Sequence, residues 1–246
     1  MSVVLTTAFP NPPCPAEENT PKVPDVITNR SLFAVSILCG VLLVQAPALA
    51  ESSPKPPSAD QLEAALLLPE DLSADFARTT SRNRNPDRYD IVTGSKVCTR
   101  AVKGIVPLYR AKAATWLRKD DEWEGVSEYI VSGTRSKISA LERAAKVMVR
   151  DCSGVTVTTD ATKETIRKLS VGKLGNGVYA IKLRSGFPGR NLDKESMVAI
   201  DIVIVKVRNT LITLEHDGHV GQFDPTLTRS AAERATRRLQ ETLGES

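Results

Sequence analysis

Residues on which many binding and catalytic sites depend are scarce in this sequence. Aromatic side chains make up 4% of the 246 residues, and there are only two histidines and two tryptophans. So few aromatic rings argue against a stacking surface for sugars or single-stranded nucleic acid. The glycine-rich stretch Gly172–Gly177 fits neither the phosphate loop nor the dinucleotide-binding fingerprint, and no Gly-x-Ser-x-Gly elbow of a hydrolase occurs. We therefore predict no cofactor and no catalytic residue.

The sequence also lacks an apolar run long enough for a comfortable membrane span. Its apolar run near the start, Leu32–Val44, follows Arg30 and precedes an Ala-Leu-Ala motif that ends at Ala50. A basic residue, an apolar run and small residues in this order are typical of a secretory signal peptide. We predict that residues 1–50 are a leader, cleaved between Ala50 and Glu51, and that the mature protein is secreted or extracytoplasmic. A retained membrane anchor and a buried core helix are the alternatives.

The cysteines of the leader do not indicate a lipoprotein. Cys39 lies inside the apolar run, and it follows Ile37 and Leu38 where a lipoprotein signal has small residues. Cleavage after Ala50 would remove Cys39 together with Cys14. We therefore do not expect a lipid anchor.

Cys98 and Cys152 are the two cysteines that remain after cleavage. An even number of cysteines in an exported chain usually indicates a disulfide, and two buried free thiols are the alternative. A disulfide between them would stabilise the folded domain by about 4 kcal/mol in the chain-entropy model. That contribution is large against a total domain stability of about 5–15 kcal/mol.

The charge is mildly basic and well mixed. The whole chain has a net charge of +4. Residues 1–50 hold two basic and three acidic residues, so the rest of the chain has 31 basic and 26 acidic residues and a net charge of +5. This balance fits a soluble surface better than a nucleic-acid footprint. We predict no nucleic-acid partner and only weak attraction to an anionic envelope component.

The hydrophobic pattern predicts a Pro/Ser-rich linker over residues 51–58 and a single domain over 59–246. A central amphipathic helix is predicted to begin with a capping box of Ser139 and Glu142 and to end before Gly154. It leads into a short β-branched strand. Residues at steps of three and four place one face of this helix in the core: Ile138, Leu141, Ala145, Met148 and Cys152.

Alternating apolar residues predict strands around this helix. Residues 164–174 also favour a strand, whereas 111–117 favour a helix or an irregular segment. Asn176-Gly177 is a hairpin signal. Trp116 and Trp123 flank a charged turn and are predicted to be buried rings. The predicted strands are Val126–Ser132, Val155–Thr159, Val178–Arg184, Met197–Val207 and Leu211–Glu215.

A short helix capped by Ser58 or Asp60 and ending at Leu68, and a last helix that begins at Asp224-Pro225, complete the domain. The last helix is predicted to bury Leu227, Ala231, Ala235, Leu239 and Leu243. The order of elements predicts an α+β fold, with an antiparallel sheet flanked by helices.

His216 and His219 form the histidine cluster of the chain. A metal site would need a third ligand, and the two rings would have to converge. Asp217-Gly218 between them is a favoured hairpin turn, so the histidines are interpreted as its flanks. We predict no metal site.

Four stretches of the sequence carry a resemblance to a known family. They are short and rich in apolar residues or alanine, and two of them contain a cysteine. The stretches are Ala64–Leu72, the segment from Cys98 to Tyr109, the helix end Asp151-Cys152 and the strand pair Val205–Leu214.

Over residues 60–244 the chain resembles the PknH-type extracellular sensor domain. Such domains occur in actinobacterial receptor Ser/Thr kinases and as stand-alone exported proteins and lipoproteins. The resemblance implies a disulfide between Cys98 and Cys152 and a role in sensing through a cleft on the sheet. The resemblance does not identify a catalytic residue in this chain.

We therefore expect a non-enzymatic sensor or ligand-binding domain of the cell envelope or extracellular space, with an unknown small-molecule or envelope ligand. One alternative is an envelope hydrolase or metal-dependent enzyme that uses His216 and His219. Another is an interaction module that docks a membrane-protein partner through the basic last helix, with Arg234, Arg237 and Arg238 facing water.

Overall fold

The computed structural model describes residues 56–80, 95–111, 113–119, 123–158, 163–186 and 197–245. The predicted leader, its cleavage site between Ala50 and Glu51, and residues 51–55 of the predicted linker lie outside the described residues. Among the described residues, no helix has the length and apolarity needed to cross a membrane.

Eight strands form one antiparallel sheet in the order β1-β2-β3-β8-β7-β6-β5-β4. The four helices lie on its two faces, which confirms the predicted α+β class. The strands are β1 (Phe76–Arg78), β2 (Ala113–Lys119), β3 (Gly125–Ser132), β4 (Thr156–Thr158), β5 (Lys163–Lys168), β6 (Gly177–Gly186), β7 (Val198–Val207) and β8 (Thr210–His219).

The helices form two layers with a hydrophobic core beneath each. We call α1 (Ala59–Ala64) and α4 (Pro225–Thr242) the first helical layer, and α2 (Lys96–Ile105) and α3 (Arg135–Cys152) the second helical layer. Short 3₁₀ turns follow α1 at Pro69–Asp71 and α2 at Val106–Arg110. The first core joins α1 and α4 to one face of the sheet, and the second joins α2 and α3 to the other face.

Strand alternation decides which residues enter each core. Successive side chains of a strand point to opposite faces of the sheet. In β7, Val203 and Val205 therefore belong to the first core, whereas Ile202 and Ile204 belong to the second. Because β7 is covered on both faces, it reads as an almost continuous apolar run.

The central helix α3 confirms the predicted buried face but not the predicted start. Ile138, Leu141, Ala145, Met148 and Cys152 are all buried. The helix begins one turn earlier than the expected capping box, because the Thr134 hydroxyl accepts a hydrogen bond from the Lys137 backbone N–H and caps it.

A disulfide links the second helical layer. Cys98 in the first turn of α2 is bonded to Cys152, the last residue of α3, and both side chains are fully buried. The same pair of helices packs closely further along, where Gly104 faces Ala144 without room for a larger side chain. The two helices are therefore held together at two points.

Two predicted element types were wrong. Residues 113–119 form a strand instead of a helix or an irregular segment, because Ala113, Thr115 and Leu117 are buried in alternation while the strand pairs with β3. Asp217-Gly218 is not a hairpin turn. The pairing of Ile200 with Asp217 continues the β7–β8 ladder through these residues, which overrides their turn preference.

Other predictions were confirmed. Of the two candidate caps, Ser58 is the one that caps α1, although the helix ends at Ala64 and not at Leu68. The predicted strand over residues 164–174 overlaps β5, which ends earlier, at Lys168. Asn176 does lie in the turn before β6, although the β5–β6 connection is longer than a two-residue hairpin. Leu227, Ala231, Ala235 and Leu239 of α4 are buried as expected, and Leu243 packs partly buried against the same core.

Candidate functional site

The connection between β2 and β3 places an exposed ring next to a buried charge. Trp123 is 69% exposed, whereas the following residue, Glu124, is completely buried. Gly125 then begins β3 and pairs with Asp217 of β8. A contact made at the surface by Trp123 is therefore one residue away from a charged group in the core.

The carboxylate of Glu124 receives donors from three elements. The backbone N–H of Asp224, just before α4, donates to Oε1 at 2.7 Å, and Nε2 of His216 lies 3.1 Å from the same oxygen. The ammonium of Lys119 on β2 lies 2.5 Å from Oε2. Burial alone would raise the pKa of Glu124, but these three donors outweigh it and lower the pKa to about 2.

His216 continues the chain of contacts into the core. Its Nδ1 lies 2.8 Å from the hydroxyl of Thr228 on α4. That hydroxyl donates its single proton to Asp201 at 2.9 Å, so its oxygen accepts from Nδ1. Nε2 faces the ionised Glu124. Both ring nitrogens are therefore within hydrogen-bond distance of an oxygen atom.

Asp201 on β7 ends this chain of contacts. Its second carboxylate oxygen lies 2.8 Å from the guanidinium of Arg184 on β6. The Phe223 ring stacks on the His216 ring with 4.1 Å between the ring centroids. The guanidinium of Arg184 lies over the Phe223 ring, 4.7 Å from its centroid. We call Glu124, His216, Thr228, Asp201 and Arg184 the buried histidine network.

The network is arranged to hold structural elements together. A Glu–His–Thr series resembles a nucleophile with its base, but the hydroxyl of Thr228 is buried and directed at Asp201. It is therefore not presented to a substrate. What the network does join is the β2–β3 connection, β6, β7, β8 and the start of α4.

The exposed side of this region forms a small apolar surface, which we call the Trp123 patch: Trp123, His219 and Val198. The His219 ring lies edge-on to Trp123 at 5.3 Å, and Val198 is the cross-strand partner of His219. Arg118 donates to the carbonyl oxygen of Trp123 at 2.8 Å and pairs with Asp217 at 2.9 Å, which fixes the backbone under the indole.

The exposure of Trp123 corrects the prediction of a buried ring. Trp116 is half-buried, and its indole N–H donates to the hydroxyl of Tyr129 at 3.2 Å. Trp123 has no such partner in the core because the chain turns its next residue, Glu124, inward. Strand alternation therefore leaves the indole outside.

His216 and His219 do not converge. They are three residues apart on β8, so His216 points toward the first helical layer and His219 toward the opposite face of the sheet. Within the described ranges, no group of three potential metal-ligating side chains is assembled. A metal site that uses both histidines requires the two rings to converge, and the strand keeps them apart.

A second buried carboxyl group lies on β3. Glu128 is completely buried, and one of its oxygens accepts from the Leu67 backbone N–H at 2.6 Å. Burial raises the pKa of Glu128 to about 8, despite that hydrogen bond. The group fastens the segment after α1 to the sheet.

The three arginines expected to face water on α4 differ. Arg234 and Arg237 are exposed, but Arg238 lies 3.3 Å from Asp71 and donates to the carbonyl oxygen of Ala64. Arg238 therefore fastens α4 to α1, which corrects its predicted exposure. Of the three arginines of the α4 docking alternative, only Arg234 and Arg237 are therefore exposed.

Sequence reasoning missed most of the buried histidine network. Asp201 carried a usable signal, because a carboxylate inside an apolar strand needs a buried partner. Glu124 and Thr228 carried none, since their partners lie 92 and 27 residues away in the chain. Their roles depend on how the sheet is assembled.

Comparisons with known proteins establish no family. No protein-family model matches the sequence, and no curated protein matches it significantly. Among solved structures, the chain is similar to the extracellular domain of PknH from Mycobacterium tuberculosis. That similarity has 15% sequence identity and a TM-score of 0.47, and it covers 76% of this chain and 98% of that chain.

A second similarity is to the lipid transfer and protein localization domain of human StarD13 (DLC2). It has 9% identity and a TM-score of 0.20, and it covers 53% of this chain and 86% of that chain. Because both TM-scores lie below 0.5, neither similarity decides a function, which has to be inferred from the residues of this chain.

Proposed function

We propose that this protein is an extracytoplasmic, non-enzymatic sensor domain that binds a small-molecule or envelope ligand at the Trp123 patch. The observation that carries the proposal is the direct link from the exposed Trp123 to the fully buried Glu124. Because Glu124 also accepts a hydrogen bond from the Asp224 N–H, a ligand that displaces Trp123 would change the contacts at the start of α4.

The location is supported by the disulfide between Cys98 and Cys152. Disulfides form and persist in oxidising compartments and are rare in the cytosol. The signal-like order of Arg30, the apolar run Leu32–Val44 and Ala50 supports export independently.

The binding role is supported by the composition and rigidity of the Trp123 patch. Exposed tryptophan is enriched where proteins bind partners, because its ring offers a large apolar area with few rotatable bonds. Arg118 and Asp217 hold the backbone beneath the ring, so little conformational entropy is lost when a ligand binds.

The sensing role is supported by the shared acceptor in Glu124. Its Oε1 binds both His216 and the backbone N–H of Asp224, the N-cap residue of α4. A ligand that shifts the β2–β3 connection would change both hydrogen bonds. The start of α4 is therefore the element that we expect to respond.

Two-dimensional NMR of the two indole N–H groups tests this function. The protein is titrated with soluble peptidoglycan fragments, oligosaccharides and phospholipid headgroups. We expect one class to shift the Trp123 signal and the amides of residues 224–228. The Trp116 indole, which is held by Tyr129, is the internal reference and should shift much less.

Trp123→Ala and Trp116→Phe are the matched variants. The first should abolish the shifts at residues 224–228, whereas the second should leave them in place. If every titrated class leaves the Trp123 signal unchanged, or if Trp123→Ala binds as tightly as the wild type, the Trp123 patch is not the ligand site.

A further inference from the structure

The second helical layer has an unusually one-sided charge. The segments 95–111 and 133–155, which contain α2 and α3, hold nine basic and two acidic residues, a net charge of +7. All nine basic side chains belong to exposed residues: Lys96, Arg100, Lys103, Arg110, Arg135, Lys137, Arg143, Lys146 and Arg150.

The opposite side of the sheet has the reverse charge. The segments 56–75 and 224–245, which contain α1 and α4, hold nine acidic and four basic residues, a net charge of −5. The modest net charge of the whole chain therefore hides a strong asymmetry between its two helical layers. Such an asymmetry orients a protein in front of a charged surface.

The cations of α2 form a stripe on its solvent side. Lys96, Arg100 and Lys103 are spaced at four and three residues, so they lie on one face of the helix. Cys98, Ala101, Val102 and Ile105 occupy the buried face.

A second stripe runs along α3. Arg143, Lys146 and Arg150 have the same kind of spacing, and all three are exposed. The disulfide near one end and the close contact of Gly104 with Ala144 hold the two helices together. The two stripes therefore belong to one rigid surface, which we call the cationic face.

The acidic residues of these segments neutralise little of the cationic face. Glu142 lies 2.5 Å from Lys206 of β7, so it is engaged with a cation outside the face. Asp151 pairs with its neighbour Arg150. Most of the positive charge is therefore available to an outside partner.

An exposed apolar side chain lies beside the α2 stripe. Val97 is 56% exposed and stands next to Lys96, and Arg100 follows three residues later. Cations combined with an exposed apolar side chain fit the boundary between lipid headgroups and acyl chains. A nucleic acid would be expected to meet exposed aromatic rings for base stacking. The tyrosine of this layer, Tyr109, is buried instead.

We propose that the cationic face is a docking surface for an anionic phospholipid bilayer. The face lies on the helices of the second layer, whereas the expected docking through α4 would use a layer of net negative charge. Binding places α2 and α3 against the headgroups and turns the acidic first helical layer away from the membrane.

The test is cosedimentation of the full-length, oxidised protein with vesicles of phosphatidylcholine alone or with 30% phosphatidylglycerol. The apolar run Leu32–Val44 would bind both kinds of vesicle, so the ratio of the two partition coefficients is scored. We expect the wild type to prefer the anionic vesicles by at least about tenfold at low salt. The preference should weaken as salt screens the charges.

Two charge-matched triple variants locate the surface. Lys96→Gln, Arg100→Gln and Lys103→Gln together remove three cations from the cationic face, and Arg229→Gln, Arg234→Gln and Arg237→Gln remove three from α4. Each basic residue near an anionic membrane contributes about fivefold to partitioning. The α2 triple variant should therefore lose at least about tenfold of the preference, and the α4 triple variant less than about twofold.

Val97→Ser tests the apolar contribution without changing the charge. We expect it to weaken partitioning a few-fold. The proposal is overturned if the wild type shows no preference for vesicles that contain phosphatidylglycerol at low salt. The same conclusion holds if the protein binds a soluble polyanion such as RNA but shows no such preference. Equal losses in the two triple variants would also overturn it, because net charge and not the cationic face would then govern binding.

Discussion

At the residue scale, one hydroxyl group joins the two halves of the buried histidine network. Thr228 accepts from His216 and donates to Asp201, so it satisfies two buried polar groups at once. A buried polar group that loses its partner costs about 1–3 kcal/mol, and more when it is charged.

Thr228→Val should therefore destabilise the protein by about 2–4 kcal/mol, because both His216 and Asp201 lose a partner while the shape is kept. Thr236→Val is the control on the same helix, since its buried hydroxyl donates only to the Ala232 carbonyl oxygen. It should cost less than about 1 kcal/mol. Urea unfolding measures both, and equal losses would show that the network adds nothing beyond one hydrogen bond.

Glu128 gives the stability a pH dependence of definite sign. The native carboxyl keeps its proton up to about pH 8, whereas the unfolded chain releases it near 4.5. The native state therefore binds more protons within this window, so the stability falls as the pH rises through it.

Glu128→Gln keeps the acceptor for the Leu67 N–H and removes the titration. We expect the variant to match the wild type below pH 4.5 and to be more stable at pH 9, by at most about 5 kcal/mol. Glu142→Gln should show the opposite sign at neutral pH, because the Glu142 pKa is lowered by Lys206 and Tyr179. Parallel stability–pH curves for wild type and Glu128→Gln would contradict this account.

Single residues were predictable from sequence only where the pattern was local. The periodic apolar residues of α3 identified its buried face correctly. Trp123 was placed wrongly because the next residue, Glu124, is held inward by partners from distant elements. Arg238 was placed wrongly because its partners, Asp71 and Ala64, lie far from it in the sequence. The burial of Glu124 and Glu128 could not be predicted, since a charged residue in a short polar or mixed segment normally lies at the surface.

At the element scale, the β5–β6 connection depends on glycine at one position. Gly175 has a φ of +50°, and a Cβ there would overlap the Lys206 carbonyl oxygen. That oxygen accepts from the Asn176 N–H at 2.7 Å and holds the connection to β7. Gly172 also has a positive φ, of +88°, but nothing lies within 4 Å of its Cβ position.

The two glycines separate backbone strain from steric overlap. Gly172→Ala should cost about 1–2 kcal/mol, which is the price of a left-handed backbone for alanine. Gly175→Ala should cost at least about 2 kcal/mol more, because the connection must also move away from β7. Chemical denaturation measures the difference, and similar losses in the two variants would mean that the connection adjusts freely.

The disulfide fastens α2 to α3 across 54 residues of sequence. A loop of that length corresponds to about 4 kcal/mol in the chain-entropy model. Reduction should therefore lower the Tm by roughly 10 °C. The double variant Cys98→Ala and Cys152→Ala should melt at the lower temperature and be insensitive to reductant. A wild type whose Tm ignores reductant would show that the bond does not stabilise the fold.

Elements were predictable where propensity and packing agree. The strands β3, β6 and β7 and the helices α3 and α4 follow their own hydrophobic periods. The strand β2 was missed because its alternation mixes alanine with charged residues, and pairing with β3 decides its conformation. The end of β8 was missed because ladder bonds with β7 outweigh the turn preference of Asp217-Gly218.

At the scale of the whole molecule, the structure shows two candidate binding surfaces that the sequence alone does not separate. The Trp123 patch is proposed to bind a ligand, and the cationic face is proposed to meet a membrane. The fold class was predictable from the order of elements. The opposite charges of the two helical layers were not, because they appear only when α1 is grouped with α4 and α2 with α3.

The proposed sensing role requires a chain that works outside the cytoplasm with its disulfide formed. Intact mass of the protein recovered from culture, with and without reduction before alkylation, tests this most directly. We predict a mature chain that begins at Glu51 and takes up two alkyl groups only after reduction. A full-length cytoplasmic chain whose four cysteines alkylate without reduction would contradict the extracytoplasmic sensor.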